Sequence, residues 1–301
     1  MKYAAQFLLL FLCLPTLAQA IPTPTAAATP STALPTRLPF LQGDLTLLIG
    51  NVQRPNGLVY HEGDLFTVCN GDWTVYKVDA QTGDSISFVF GVRNGNSLIA
   101  ESTETGFDLF VPDPESGALW QLDQRRLAPV KIAERLTGAW GITRLDDNVL
   151  LVSDTRANSI FAIESGGAIS KLVEGLRAPT GIVRHEDRVY IANGGSARRG
   201  IEVFELESGE LNPLVSGVQN TSNLALGADG FLYFAYALGT RGVVGRVDPL
   251  LCLDGGCSGD DIEPVVFSDV AAPLAITLSD DLRLFLHSRF RPEIYWVQLP
   301  A

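Results

Sequence analysis

RAPTGIVRHEDRVYIANGG, residues 177–195, opens with Arg-Ala-Pro-Thr-Gly, passes through a short apolar run, turns over His-Glu-Asp and enters a second apolar run ending in Ala-Asn-Gly-Gly. The same phrase recurs along the chain. Asn-Gly-Leu at Asn56 is followed by DLFTVCN, Trp-Gly-Ile at Trp140 by NVLLVSD, and Ser-Asn-Leu at Ser222 by FLYFAY. Taking the middle residue of each such element as a register mark gives Gly57, Ser97, Gly141, Gly181, Asn223 and Ala275. Their spacings are 40, 44, 40, 42 and 52 residues, the last lengthened by the inserted LLCLDGGCSGDDIE. A fixed period of this size is the signature of a repeat architecture.

Each unit reads as four strands. A short strand (GLVY, SLIA, GITR, GIVR, NLAL, AITL) meets a polar turn, then an alternating strand such as LFTVCN or VYIAN. A third strand (TVYKVD, ALWQLD, SIFAI, IEVFEL, VVGRVD, EIYWVQL) and a fourth (SISFVFG, PVKIA, ISKLVEG, LNPLVSG, EPVVFSD) complete it. β-Branched and aromatic residues alternating with polar ones between Gly, Asp and Asn turns are hairpin chemistry. Six four-stranded units bury both faces when arranged radially, so the expected fold is all-β, a six-bladed β-propeller over residues 40–301. The last unit lacks a fourth strand, and DLTLLIG, residues 44–50, has no unit of its own. It is therefore expected to pair beside residues 293–297 and close the ring. A pair of stacked sheets would explain neither six registers nor one displaced strand.

Composition bounds the rest. The chain has 301 residues, 46% of them apolar, ample for a large core. A net charge of −12 and a pI near 4.7 argue against nucleic acid as a partner, which wants a basic stripe. Residues 1–20 read as a signal peptide: Lys2, the apolar FLLLFLCL, then Ala18-Gln19-Ala20 as a cleavage site. The alternative is an uncleaved anchor helix. Nothing later in the chain is long and apolar enough to cross a membrane. Residues 21–39, rich in Pro, Thr and Ala, read as an extended spacer. These features predict a secreted or extracytoplasmic, monomeric protein. In an oxidising compartment Cys252 and Cys257, flanking a tight Asp-Gly-Gly turn, are expected to form a local disulfide, leaving Cys69 as a small buried thiol.

APTGIV…DRVYIAN and VSDTRANSIFAI resemble blades of the NHL-repeat and SMP-30/gluconolactonase-like propellers, the second carrying Asp154, Asn158 and Ile160 in NHL spacing. The resemblance spans residues 44–300. It implies six blades and leaves the activity open, because this architecture hosts hydrolases, lyases and binding proteins alike.

In such folds the loops entering the innermost strand and those leaving the second strand share one face, the mouth of the central channel. The entry ring is Asn56, Asn96, Trp140, Thr180, Ser222 and Leu274. The exit ring is Asn70, Asp113, Asp154, Asn193, Tyr236 and Ser288, with His287 beside it. Asn56, Asn96, Trp140, Thr180, Asn193, Asn223 and Tyr236 are the candidate ligand-binding residues. The competing reading is that Asn, Asp and Ser are simply turn formers, with Asp154 satisfying N–H groups of its own blade. Lactonase-like relatives hold a divalent ion with a glutamate, two asparagines and an aspartate. RPNGLVY resembles one asparagine motif and carries that role to Asn56 alone, with Asp154, Asn193 and Asn223 as candidate metal companions. No glutamate begins any innermost strand, and Glu101 lies at the far end of its own. No cofactor is therefore expected, with calcium or another divalent cation as the alternative.

His287, in the apolar LFLHSRF, is the candidate catalytic imidazole; the other reading is a histidine bonded to neighbouring backbone. His61 and His185 sit in turns of the far face and are expected to be solvated. The acidic stretch of residues 254–263 reads as a solvated loop with no EF-hand spacing. No G-x-S-x-G, H-E-x-x-H, P-loop or C-x-x-C is present. Two functions compete: an exported propeller that binds a small molecule or protein at its channel face, and a metal-dependent lactone or ester hydrolase.

Overall fold

In the computed structural model, residues 38–269, 274–288 and 291–300 are described. The expected signal peptide, and the expected spacer apart from its last two residues, lie outside them.

Each blade is an antiparallel meander. Blade one comprises Pro55–His61, Asp64–Cys69, Thr74–Asp79 and Ser85–Phe90. Blade two comprises Ile99–Thr103, Gly106–Asp113, Ala118–Asp123 and Val130–Glu134. Blade three runs from Ala139–Asp146 through Val149–Asp154 and Ser159–Glu164 to Ile169–Val173. Blade four runs from Pro179–His185 through Arg188–Asn193 and Ile201–Glu205 to Leu211–Ser216. Blade five holds Gln219–Leu226, Leu232–Leu238, Arg241–Val247 and Glu263–Ser268. Blade six holds Leu274–Leu278, Arg283–Ser288 and Ile294–Gln298.

The fourth strand of blade six is Thr46–Ile49, from the other end of the propeller sequence, with Thr46 opposite Trp296 and Leu47 opposite Tyr295. The ring closes as the displaced strand predicts, and the outer edge of Ile294–Gln298 is covered. Two parallel additions were not legible in the repeat. Phe40–Leu41 pairs with the outer strand of blade five, and Cys257–Ser258 with that of blade four. The insertion is thus anchored at an edge, and Cys252 and Cys257 are joined as expected while Cys69 is free and buried. In blade two the innermost strand starts at Ile99, so the mark Ser97 stands in the approach to it.

The core is six wedges rather than one centre. Strand alternation sends successive side chains to opposite neighbours. Leu150 and Val152 pack toward blade two with Phe110 and Leu119, while Leu151 packs toward blade four with Ile182 and Val189. In blade one Leu65 and Cys69 face blade six, and Phe66 and Val68 face blade two.

Around the axis the innermost strands approach backbone to backbone, and the register marks are the points of contact. A Cβ on Gly57 would lie 2.9 Å from the Ser97 Cα; one on Gly181 would lie 2.7 Å from the Asn223 Cα. Glycine is required there by the neighbour's main chain, which cannot rotate away. Gly181→Ala is expected to lower stability by about 2–3 kcal/mol through this overpacking, whereas Gly166→Ala, with open space around it, stays within about 0.5 kcal/mol. Denaturant unfolding of the two variants checks the contrast; equal stabilities contradict the axial contact.

Candidate functional site

The entry residues lie where the innermost strands converge. Asn56, Asn96, Thr180, Ser222 and Asn223 are buried, and Trp140 is half-buried. The Asn56 side-chain amide donates to Asn94 Oδ1 at 3.1 Å. Thr180 Oγ1 donates to the Thr221 carbonyl of blade five at 2.7 Å. Leu274 heads the innermost strand of blade six. The entry residues thus stand in or just before the innermost strands, with Asn56 and Thr180 engaged by protein partners.

The exit ring follows one rule in blades one to four. The last inward residue of the second strand faces the preceding blade and accepts the N–H of the linker arriving from it. Asp113 Oδ2 accepts from Arg93 N at 3.1 Å, Asp154 Oδ2 from Gly138 N at 3.1 Å, and Asn193 Oδ1 from Arg177 N at 2.9 Å. The other Asp154 oxygen accepts from Arg156 N and Ala157 N at 2.9 and 2.8 Å. The Asn193 amide donates to the buried Glu202 at 2.6 Å, and Arg199 pairs with the same carboxylate. In blade one the position belongs to Cys69 rather than Asn70, because Leu58 pairs with Thr67 as Ile142 pairs with Val152. The Gln53 N–H bonds the Cys69 sulfur in the carboxylate's place, and burial, reinforced by the Asp72 charge, pushes the thiol pKa far up. Such a thiol is no nucleophile.

His287 is buried, and its Nε2–H donates to the Asn56 carbonyl at 2.7 Å. Ser153 holds the equivalent place in blade three and donates to the Thr180 carbonyl at 2.5 Å. Asn56 and Thr180 are equivalent entry residues, so both side chains latch one blade to the next. For His287 that joint is the closure between blades six and one. Periodicity could have revealed this, since His287 and Ser153 share a register.

Several side chains differ from expectation. His61 is not simply solvated: its ring packs edge-on against Phe107 at 5.4 Å. Glu263 leaves the acidic loop to form a two-pronged pair with Arg246 at 3.0 and 3.1 Å. Tyr236 takes the exit position of blade five but turns into the wedge against blade four, its ring 5.6 Å from Phe234. Desolvation pushes its phenol pKa up. Glu101 pairs with Arg144 on the far face.

A divalent ion would need several unengaged oxygens, including a carboxylate. The Asp154 and Asn193 oxygens already accept backbone N–H, and Asn56 and Asn223 supply amides only. These residues do not fit a calcium centre, and among the described residues no group of three or more His, Cys, Asp or Glu side chains is arranged to hold a metal.

No family model matches the chain, and no curated protein sequence matches it. Solved structures do. A gluconolactonase from Xanthomonas campestris aligns at TM-score 0.65 and 14% identity over 85% of this chain and 89% of that one. The calcium-binding protein regucalcin from Agrobacterium tumefaciens aligns at 0.64 and 14%, over 86% and 94%. The fold is that of the gluconolactonase and regucalcin propellers. A catalytically inactive virginiamycin B lyase from Staphylococcus aureus, solved with quinupristin, shares it at 0.58 and 13%, over 85% and 98%. The six-bladed, SMP-30-like part of the resemblance holds at this level, and none of these three structures carries the NHL name. Identities this low establish architecture alone.

Asp154→Ala is expected to cost about 1–3 kcal/mol, because three N–H groups lose their acceptor, and Asp154→Asn to recover part of it. His287→Ala should destabilise more than His287→Gln, which can keep a donor near the Asn56 carbonyl. Urea midpoints of the four variants check this; an Asp154→Ala variant as stable as the parent contradicts the structural role.

Proposed function

We propose that this chain is an exported β-propeller that binds a small ligand or a protein partner on its channel-mouth face without catalysing a reaction. What carries the reading is the engagement of the exit-ring polar groups. Asp113, Asp154 and Asn193 hold linker N–H groups, and His287 Nε2 is committed to the Asn56 carbonyl. A mouth built this way has shape and hydrogen-bonding edges, and among the described residues the candidate base and carboxylates are already bonded to the protein. Export rests on the leader-like residues 1–20.

The second reading, a metal-dependent lactone or ester hydrolase, draws on the fold shared with a gluconolactonase. It would require Asp154 to abandon its three N–H donors. Calorimetric titration of calcium into the purified protein, with a lactone-hydrolysis assay in calcium, zinc and manganese, separates the two. The binding reading expects no micromolar calcium affinity and no hydrolysis that chelation abolishes. Micromolar binding lost in Asn56→Ala and Asn223→Ala, with chelator-sensitive hydrolysis, would overturn it in favour of the hydrolase.

A further inference from the structure

The net charge of −12 conceals a division between the two faces. The loops of the mouth face are the linkers from each fourth strand to the next blade and the turns between second and third strands. Four consecutive linkers carry Arg54, Arg93, Arg135 and Arg177, and the turns add Arg156, Arg198, Arg241 and Arg291, all exposed. These loops contain no lysine, and against the eight arginines their exposed acids are Glu115, Glu174 and Asp269. Lys77, Lys131 and Lys171 lie on strands, each paired with an acid. The far-face turns are acidic instead, as at Glu62, Asp147, Glu186, Asp187, Asp280 and Asp281.

Arg199 is held by Glu202, but among the described residues Arg135, Arg156, Arg198 and Arg241 form no ion pair. Unneutralised like charges on neighbouring loops raise the energy of the folded chain. Arg54 and Arg135 also take left-handed backbone, φ 60° and 71°, where a residue with a Cβ is strained. Beside this row, on the rim of blade one, stand two exposed aromatic rings. Trp73 is 42% and Phe90 66% exposed, 6.3 Å apart, with the Arg93 guanidinium 5.2 Å above the Trp73 ring.

We propose that the mouth face binds an acidic polysaccharide, a chain of uronic-acid sugars whose carboxylates pair with the arginine row and whose pyranose rings stack on Trp73 and Phe90. The proposal rests on the reading of this face as the recognition face and names its ligand class. Arginine, rather than lysine, presents a planar fork that matches a carboxylate in two bonds. The row repeats blade by blade along a curve, which suits a flexible chain with a charge on every unit. A single-stranded nucleic acid groove places aromatic platforms at successive bases; here one aromatic pair serves the linker arginines of four blades. The apolar face of a pyranose ring fits an exposed indole, with its carboxylate toward Arg93.

The test is retention of the purified protein on immobilised polygalacturonate in EDTA, beside a neutral galactan matrix. Despite its net negative charge the protein should bind at about 50 mM salt and elute by about 300 mM, as exposed charge pairs are screened. The Arg135→Glu/Arg156→Glu double variant and Trp73→Ala should each bind about tenfold more weakly. Arg125→Glu/Arg126→Glu, on the far face, should bind as the parent does, all variants melting normally. Flow-through at low salt, unchanged binding in either mouth-face variant, or tighter binding to oligo(dT) or phosphatidylserine vesicles would overturn the proposal. Because EDTA removes metal, failure here leaves non-catalytic recognition intact, whereas chelator-sensitive lactone hydrolysis would defeat that reading and leave this one standing.

Discussion

The space beside Gly181 is filled by the main chain of the next blade, 2.7 Å from where a Cβ would begin. Gly57 meets Ser97 in the same way. This contact between innermost strands sets the radius of the inner ring, and the rest of the architecture follows from it. Strands held this close at the axis must diverge outward, so the large side chains collect in wedges between blades. Period-two alternation then assigns each buried residue to one neighbour or the other. Closure by Thr46–Ile49 completes the last blade without asking the axis to change.

The same closeness explains the chemistry of the mouth. Linkers crossing from an outer strand to the next inner one bring buried N–H groups with no partner in a sheet, and such groups must find acceptors. Asp113, Asp154, Asn193 and the sulfur of Cys69 supply them at one register. Side chains that look like metal ligands in a sequence are, in this ring, acceptors for the main chain. The carboxylates of Asp113, Asp154 and Glu202 are held within the protein framework, and arginine is the commonest charged residue exposed on the same loops.

Much of this was legible beforehand. Six register marks, the displaced strand and the Cys252–Cys257 pair came directly from spacing, because repeats and tight turns are local properties. The exit-ring role of Asp154 was one of two readings the residues allowed. The equivalence of His287 with Ser153, and of Cys69 with Asp154, is readable only by counting register from the repeat marks, because those residues share a register and not a chemistry. The strands Phe40–Leu41 and Cys257–Ser258 were hidden for another reason: each is two residues long and pairs with a distant edge. Net charge is a sum over the whole chain and carries no information on how exposed arginines and acids divide between the two faces.

The central claim is that the polar ring at the mouth belongs to the framework. Native-state hydrogen exchange tests it most directly, at the amides of Arg93, Gly138 and Arg177, which donate to Asp113, Asp154 and Asn193. If these side chains are part of the fold, the three linker amides exchange only with global opening, within about tenfold of the slowest strand amides. Exchange at the rate of open loops, about a thousandfold faster or more, would mean the carboxylates and amide are free to turn toward a ligand, and would contradict the account.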